Sequence, residues 1–155
     1  MSGQYTQTIF LNLPVLDLSA SIAFYTSLGF VQNKTFSDDR AAMVSIPQDF
    51  DADPKAAHVS PIKVMLLTEP RFKEFLPDDR KIADTKANTE VLICLSMKSR
   101  EMLDEFVGKA EKGGAKVDIR KPQEYGWMYG RSFADLDGHI WEAVWMDPKE
   151  YEGKE

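Results

Sequence analysis

The chain has 155 residues, of which 43% are hydrophobic, and a formal net charge of −6. This length suits one domain, and this composition supports a packed core and excludes general disorder. An acidic chain without a long basic run has no general electrostatic attraction to nucleic acid or to an anionic membrane, so we expect neither as a partner.

The start of the chain and its single cysteine predict a cytoplasmic protein. Residues 1–8 are polar and lack the charged start and apolar stretch of a signal peptide, and no apolar run approaches the roughly 20 residues of a membrane span. The one cysteine, Cys94, excludes an intrachain disulfide and is typical of a reducing compartment. Because it lies in the apolar run 91–95, we expect a buried, unreactive thiol.

The first half of the chain begins with an alternating strand and a capped helix. Residues 8–14 place aliphatic side chains on one face and Phe10 and Asn12 on the other. Asp17 can cap a helix that Gly29 ends. The other predicted elements of this half are strands over 30–36, 41–46 and 62–68, an exposed loop over 48–61 and a short helix over 69–76.

The second half repeats this order after a polar linker over 77–88. A strand over 90–96 precedes a helix that Ser99 caps and Gly113 and Gly114 end. Extended segments over 117–120 and 128–134, a turn over 135–138 and a last strand over 139–146 follow. The repeat indicates an internal duplication, with a first module over 8–76, a second over 89–147 and a fraying tail over 148–155. Spacing alone leaves an ordinary α+β sandwich as the alternative.

Four motifs in this order resemble the vicinal oxygen chelate superfamily, which includes glyoxalase and bleomycin resistance proteins. The resemblance covers about residues 8–147. It rests on residues 12–15, 17–18, 21, 24–25 and 28–30, on residues 64–70, on residues 125–133, and on the closing stretch 133–142. It implies an α+β fold of two βαβββ modules, whose U-shaped mixed sheets enclose a cleft, and a protein that is commonly a homodimer.

The resemblance also implies four cleft-facing positions that hold a metal ion in the metal-dependent members. Carried over onto this sequence, the positions are Phe10, Leu66, Leu92 and Glu142. A divalent ion needs roughly three or more protein donors, and one carboxylate cannot hold it. We therefore predict no metal ligands and no cofactor, with a divalent metal as the alternative. Glyoxalase I lyase and extradiol dioxygenase chemistry, which both rely on the metal, are accordingly not favoured.

The two histidines do not restore such a site. His58 lies in the polar loop 48–61, where we expect a solvated side chain. His139 lies three residues before Glu142, so that alternation along a strand sends the two side chains to opposite faces.

Glu142 is the candidate catalytic residue. A carboxylate in an apolar cleft needs a cation to offset its desolvation, and Arg131 on the neighbouring strand is the predicted partner. The pair is either an acid–base group or ligand anchor, or a structural ion pair that joins two strands.

The predicted ligand-binding residues combine an apolar wall with a few polar groups, as in most small-molecule sites. Aromatic side chains near the start of the strand 128–134 are candidates for stacking on a flat ligand. The full set is Phe10, Asn12, Leu66, Leu92, Cys94, Tyr125, Trp127, Met128, Tyr129, Arg131 and Glu142.

Three functions remain open from the sequence. The first is a binding protein that captures a small organic molecule without a metal. The second is an enzyme of glyoxalase-type lyase, isomerase or dioxygenase class, which uses Glu142 with an unconventional metal site or as an acid–base group. The third is an interaction module without a ligand, since this scaffold hosts unrelated activities.

Overall fold

A computed structural model describes residues 3–152, and the chain divides after Ile82 into two compact units. Each unit contains one mixed sheet, of four strands in the first and five in the second, and the longest helix of each unit packs on its sheet. The division lies inside the predicted linker. No helix among residues 3–152 is long and apolar enough to cross a lipid bilayer.

The first unit follows the predicted order of strand, helix and three strands. Its elements are β1 (Ile9–Val15), α1 (Leu18–Ser27), β2 (Val31–Asn33), β3 (Ala41–Ser45), β4 (Ile62–Thr68) and the short α2 (Glu69–Lys73). The strands lie in the order β1-β4-β3-β2, and only β1 and β4 are parallel. The first and last strands of the module therefore lie side by side.

Helix α1 has the predicted ends. The Asp17 carboxylate accepts a hydrogen bond from the Ala20 amide at 2.9 Å, and Gly29 adopts a left-handed φ of 98° just beyond the last turn. The side chains of Tyr25 and Phe30 stack with ring centroids 5.5 Å apart beneath this helix. The core of the unit thus lies between α1 and one face of the sheet.

Two segments of the first unit differ from the prediction. The strand expected over 30–36 ends at Asn33, whose side chain accepts a hydrogen bond from the Thr35 amide and starts a 3-10 helix, Lys34–Phe36. The loop over 48–61 contains a second 3-10 helix, Pro54–Val59, which Asp53 caps and in which Ala57 is buried. Local side-chain capping overrides the strand propensity in the first case.

Lys63 attaches this second 3-10 helix to the sheet. Its ammonium group donates hydrogen bonds to the Ser45 hydroxyl at 2.9 Å, to the His58 carbonyl at 2.8 Å and to the Ala57 carbonyl at 3.4 Å. Lys63 lies beside Phe10 on the face that points away from α1. Burial lowers the pKa of its ammonium group. The segment expected to be an exposed loop therefore covers part of this face.

The second unit repeats the order of strand, helix and three strands, with one further short strand and a short helix. Its elements are β5 (Leu92–Ser96), α3 (Arg100–Lys112), β6 (Lys116–Val117), β7 (Gln123–Glu124), β8 (Met128–Ala134), β9 (Ile140–Met146) and α4 (Pro148–Tyr151). The sheet has the order β5-β9-β8-β6, with β7 also paired to β8, and β5 and β9 are its parallel pair. Ser99 caps α3 as predicted, by accepting a hydrogen bond from the Met102 amide at 3.1 Å.

The extended segment expected over 117–120 is interrupted. Asp118 adopts a φ of 50°, and its amide donates to the Ser132 carbonyl at 2.7 Å, so β6 ends at Val117. The short strand β7 was not predicted, because two residues are too few to show alternation. In the tail, Asp147 caps the short helix α4, where we expected fraying.

The end of the linker packs on the turn between β8 and β9. The Thr85 hydroxyl donates to the Asp137 carbonyl at 2.6 Å. Gly138 has a φ of +93°, and a Cβ atom there would come within 2.8 Å of the Thr85 carbonyl oxygen. Residues 83–89 therefore pack against the second unit and belong to it.

We predict that Lys63→Met releases the 3-10 helix Pro54–Val59 from its sheet. Losing hydrogen bonds to a charged donor should speed amide hydrogen exchange over residues 54–60 by roughly tenfold. Hydrogen exchange followed by mass spectrometry measures this. Lys55→Met, on the exposed side of the same helix, is the control, and equal acceleration by both variants would contradict the attachment.

Candidate functional site

One face of the second sheet points away from α3, and we call it the open face. The opposite face carries buried residues such as Trp141 and Phe133. Because partners in register point to the same side and neighbours alternate, the strand pairings assign the side chains of the open face. They are Leu92, Cys94 and Ser96 of β5, Ile140, Glu142, Val144 and Met146 of β9, and Met128, Gly130, Ser132 and Ala134 of β8.

Glu142 lies near the middle of the open face, and its partner is Arg120. The Nη2 atom of Arg120 donates to Glu142 Oε1 and to Gln123 Oε1, both at 3.0 Å. The Glu142 side chain is 21% exposed and that of Arg120 is 57% exposed. Arg120 lies in the irregular segment after Asp118, within the stretch 117–120 that we expected to be extended, so the sequence did not indicate which way its side chain points.

The predicted pair of Arg131 with Glu142 is wrong. Arg131 lies beside Ala143 in the register of β8 and β9, so its side chain points to the face that α3 covers. There it donates to both oxygens of Asp118, at 3.0 and 2.8 Å, and to Asp104 at 3.0 Å. These hydrogen bonds, with that to Asp118 the strongest, raise the pKa of the guanidinium group. Arg131 joins β8 to α3 and to the segment after β6.

Tyr129 also lies on the α3 side of the sheet and is therefore not part of the open face. Its hydroxyl donates to Asp104 Oδ1 at 2.9 Å. The guanidinium group of Arg100 stacks over the rings of Tyr129 and Trp145, 5.1 and 4.7 Å from their centroids. Arg100 also binds Glu124 and, with the Gly126 amide, lowers the pKa of that carboxyl to about 2.

The other predicted residues of this unit divide between the open face and a turn. Leu92, Cys94 and Met128 lie on the open face. Tyr125 and Trp127 are exposed in the turn between β7 and β8, where the Trp127 carbonyl accepts from the Asp147 amide at 2.7 Å.

Cys94 is exposed, so the prediction of a buried side chain is wrong. The apolar run 91–95 gave no indication of this exposure, because Cys94 belongs to the half of β5 that faces away from α3. Desolvation of the sulfur and then the charge of Glu142 raise the pKa of the thiol. Both effects disfavour the thiolate, which is the nucleophilic form.

In the first unit, Phe10 and Asn12 lie away from α1 as predicted from the alternation, whereas Leu66 does not. Phe10 is 51% exposed, and Leu66 is fully buried beside Leu13 on the α1 side. The residues of β4 that share a face with Phe10 are Lys63, Met65 and Leu67. A shift of one residue reverses the face of a strand position, so the placement of Leu66 in the pocket wall is wrong.

The side chains at the four carried-over positions do not fit a divalent ion. The first unit contributes a phenyl ring and, at any β4 position beside it, no carboxylate or imidazole. The second contributes Leu92 and a Glu142 that is paired with Arg120. Over residues 3–152, no three His, Cys, Asp or Glu side chains are grouped so that they could hold a metal ion.

Ser132 adds a polar group whose hydrogen-bonding capacity is unused. It is Glu142's neighbour across β8 and β9, and its Oγ atom is buried without a hydrogen-bond partner among the described residues. Buried hydroxyl groups nearly always have a partner, so an unpaired one beside a charged pair is a place where a ligand or water atom gains a hydrogen bond. The sequence gave no signal for it beyond its place in β8.

Comparison with known proteins identifies the family. The sequence model of the glyoxalase/bleomycin resistance protein/dioxygenase superfamily matches residues 7–143. The chain belongs to this superfamily. No curated protein matches the chain.

Several solved structures share the fold of this superfamily member. A hypothetical protein from S. aureus is 27% identical and has a TM-score of 0.68, over 90% of this chain and 94% of that one. A glyoxalase/bleomycin resistance protein/dioxygenase family enzyme from Burkholderia phytofirmans is 16% identical, with a TM-score of 0.68 over 88% and 96% of the two chains.

A third structure is the fosfomycin resistance protein FosX from Listeria monocytogenes in complex with Mn(II) and sulfate. It is 16% identical and has a TM-score of 0.60, over 97% of this chain and 98% of that one. At this identity the likeness shows the fold of the superfamily and nothing about activity.

A double-mutant cycle tests the partner of Glu142. We predict that Arg120→Gln and Glu142→Gln couple by about 0.5 kcal/mol in the free energy of unfolding, as partly exposed pairs do. Arg131→Gln and Glu142→Gln should show no coupling, although Arg131→Gln alone should cost about 2 kcal/mol through its lost contacts with Asp118 and Asp104. Urea denaturation gives these values, and coupling between Arg131 and Glu142 would contradict the assignment.

Proposed function

We propose that this superfamily member binds a small organic molecule on the open face of its second sheet, without a divalent metal. The observation that carries the proposal is the composition of that face. Apolar side chains such as Leu92, Ile140 and Val144 surround one polar group, which contains Glu142 and Arg120. An apolar surface with a few convergent polar groups is the usual makeup of a small-molecule site.

The polar group can orient a ligand. Arg120 engages Oε1 of Glu142, and no described residue donates to Oε2. This oxygen can accept a hydrogen bond from a hydroxyl or amide of the ligand. We therefore assign Glu142 to anchoring the ligand.

The donor set supports the metal-free part of the proposal. Phe10 and Leu92 are apolar, the β4 residues that share a face with Phe10 are Lys63, Met65 and Leu67, and the remaining position is the ion-paired Glu142. A catalytic role for Glu142 as an acid–base group is the second candidate. The observation that favours it is its unengaged Oε2 atom on an accessible face.

Binding of an apolar probe tests the site. Nile red, which is neutral and fluoresces in apolar surroundings, should brighten with the native protein. Leu92→Asp should abolish the enhancement, because it places a charge on the open face. Val91→Asp is the matched control, since Val91 is similarly exposed, at 56% against 52%, and precedes the strand. No enhancement with the native protein, or equal loss in both variants, would overturn the proposal.

The metal content of the protein tests the proposal that binding does not require a divalent metal. We expect that elemental analysis of the purified protein finds no stoichiometric zinc, nickel, manganese or iron. We also expect that added divalent ions do not raise the melting temperature, because an ion that binds only the native state must stabilise it. A stoichiometric, stabilising ion would contradict the metal-free proposal, and its loss in Glu142→Gln would place that ion at Glu142.

A further inference from the structure

A cavity of about 480 Å³ lies at the end of the second sheet where β9 begins. Ala134 and Ile140 contribute to both the cavity and the open face, so the two surfaces are continuous. The volume is in the range of small-molecule sites. Its lining is formed by residues 85–89, Gly114, Lys116, Ile119, residues 134–136, Gly138 and Ile140.

The cavity is stable because its walls are attached to each other. The segment 85–89 is fixed to the turn between β8 and β9 by the hydrogen bond from Thr85 to Asp137. The close approach of Gly138 to Thr85 leaves no room for a side chain at that contact. A preformed wall lowers the entropic cost of binding a ligand.

One wall carries positive charge. Lys86 and Lys116 both line the cavity, and neither has an ion-pair partner among residues 3–152. Asn88 and Thr89 add an amide and a hydroxyl beside them. In a chain whose net charge is −6, two unpaired lysines in one cavity form a local positive site.

The acidic group in the lining does not cancel this charge in full. Asp135 is 7% exposed, and its Oδ1 atom accepts from the amides of Asp137 and His139, at 3.0 and 2.8 Å. Its charge is thereby partly offset within the turn that it shapes. The cavity keeps a net positive wall that faces solvent.

The remaining lining is apolar. Ile119 is 42% exposed and Leu136 is 36% exposed, and both border the cavity with Ala134 and Ile140. A ligand that covers these side chains gains the free energy of burying apolar area. The apolar floor and the cationic wall together are complementary to a ligand that has both an apolar body and a negative charge.

We propose that this cavity binds an organic anion, with its carboxylate between Lys86 and Lys116 and a short apolar body on Ile119 and Leu136. The inference rests on the proposed binding function and narrows it, since it names the chemical class of the ligand and the end of the sheet where its charge lies. Lys86 and Lys116 become the residues that determine specificity for the anion.

Three aromatic probes of similar size test the charge preference: benzoate, benzyl alcohol and benzylammonium. We expect benzoate to shift the amide resonances of Lys86, Ala87, Lys116 and Ile119 in a titration followed by NMR. Benzyl alcohol should bind at least about fivefold more weakly and benzylammonium more weakly still. Raising the salt concentration should weaken benzoate binding and leave benzyl alcohol unaffected.

Matched variants locate the site. The double variant Lys86→Gln with Lys116→Gln should weaken the binding of benzoate by about tenfold and leave the binding of benzyl alcohol unchanged. Lys112→Gln, which removes one positive charge from an exposed position outside the cavity, is the control, and Lys86→Gln and Lys116→Gln are each compared with it singly. Ala134→Leu, which fills the floor, should block both probes at an unchanged melting temperature.

Each other outcome decides against the inference. Equal affinities for the three probes, no shifts with benzoate, or an equal effect of Lys112→Gln would overturn it. If benzoate instead shifts the amide resonances around Glu142 and Cys94, and the lysine variants do not change these shifts, the proposed anion-binding cavity is overturned. The proposal of binding on the open face would then still stand. Failure of Nile red to bind would instead remove the open-face proposal, so the two can fail separately.

Discussion

The parallel pairing of the first and last strand in each module determines which side chains can meet. Its register, with the period of two along every strand, divides each sheet into a face that packs on a helix and a face that does not. This constraint places Cys94 beside Glu142 and sends Arg131 to the other side of the sheet. The composition of the candidate site follows from that division, because adjacent residues of one strand never share a face.

Irregular segments supply the partners that the strands lack. The left-handed conformation of Asp118 ends β6 and redirects the chain, so that Arg120 returns to Glu142 while the Asp118 carboxylate holds Arg131 on the opposite side. Residues 83–89 likewise form a cavity wall because Thr85 and Gly138 are in contact. Loops placed by a rigid sheet carry the chemistry here, as they do in many binding proteins.

The two modules share their order of elements and differ in what covers their sheets. In the first, Lys63 draws the 3-10 helix Pro54–Val59 onto the face away from α1. In the second, apolar side chains such as Leu92 stay exposed around a polar group. The two modules thus share a scaffold while the chemistry of their faces differs, and the second unit carries the features on which the proposed function rests.

The sequence by itself determined the family, the two-module order, and the helix caps at Asp17 and Ser99. These depend on local periodicity, on capping chemistry and on which side chains are present. Only the tertiary structure decided the partner of Glu142, the α3-side positions of Tyr129 and Arg131, the burial of Leu66 and the exposure of Cys94. Each of these depends on strand register and on the path of an irregular segment, and both are set by contacts between residues far apart in the chain.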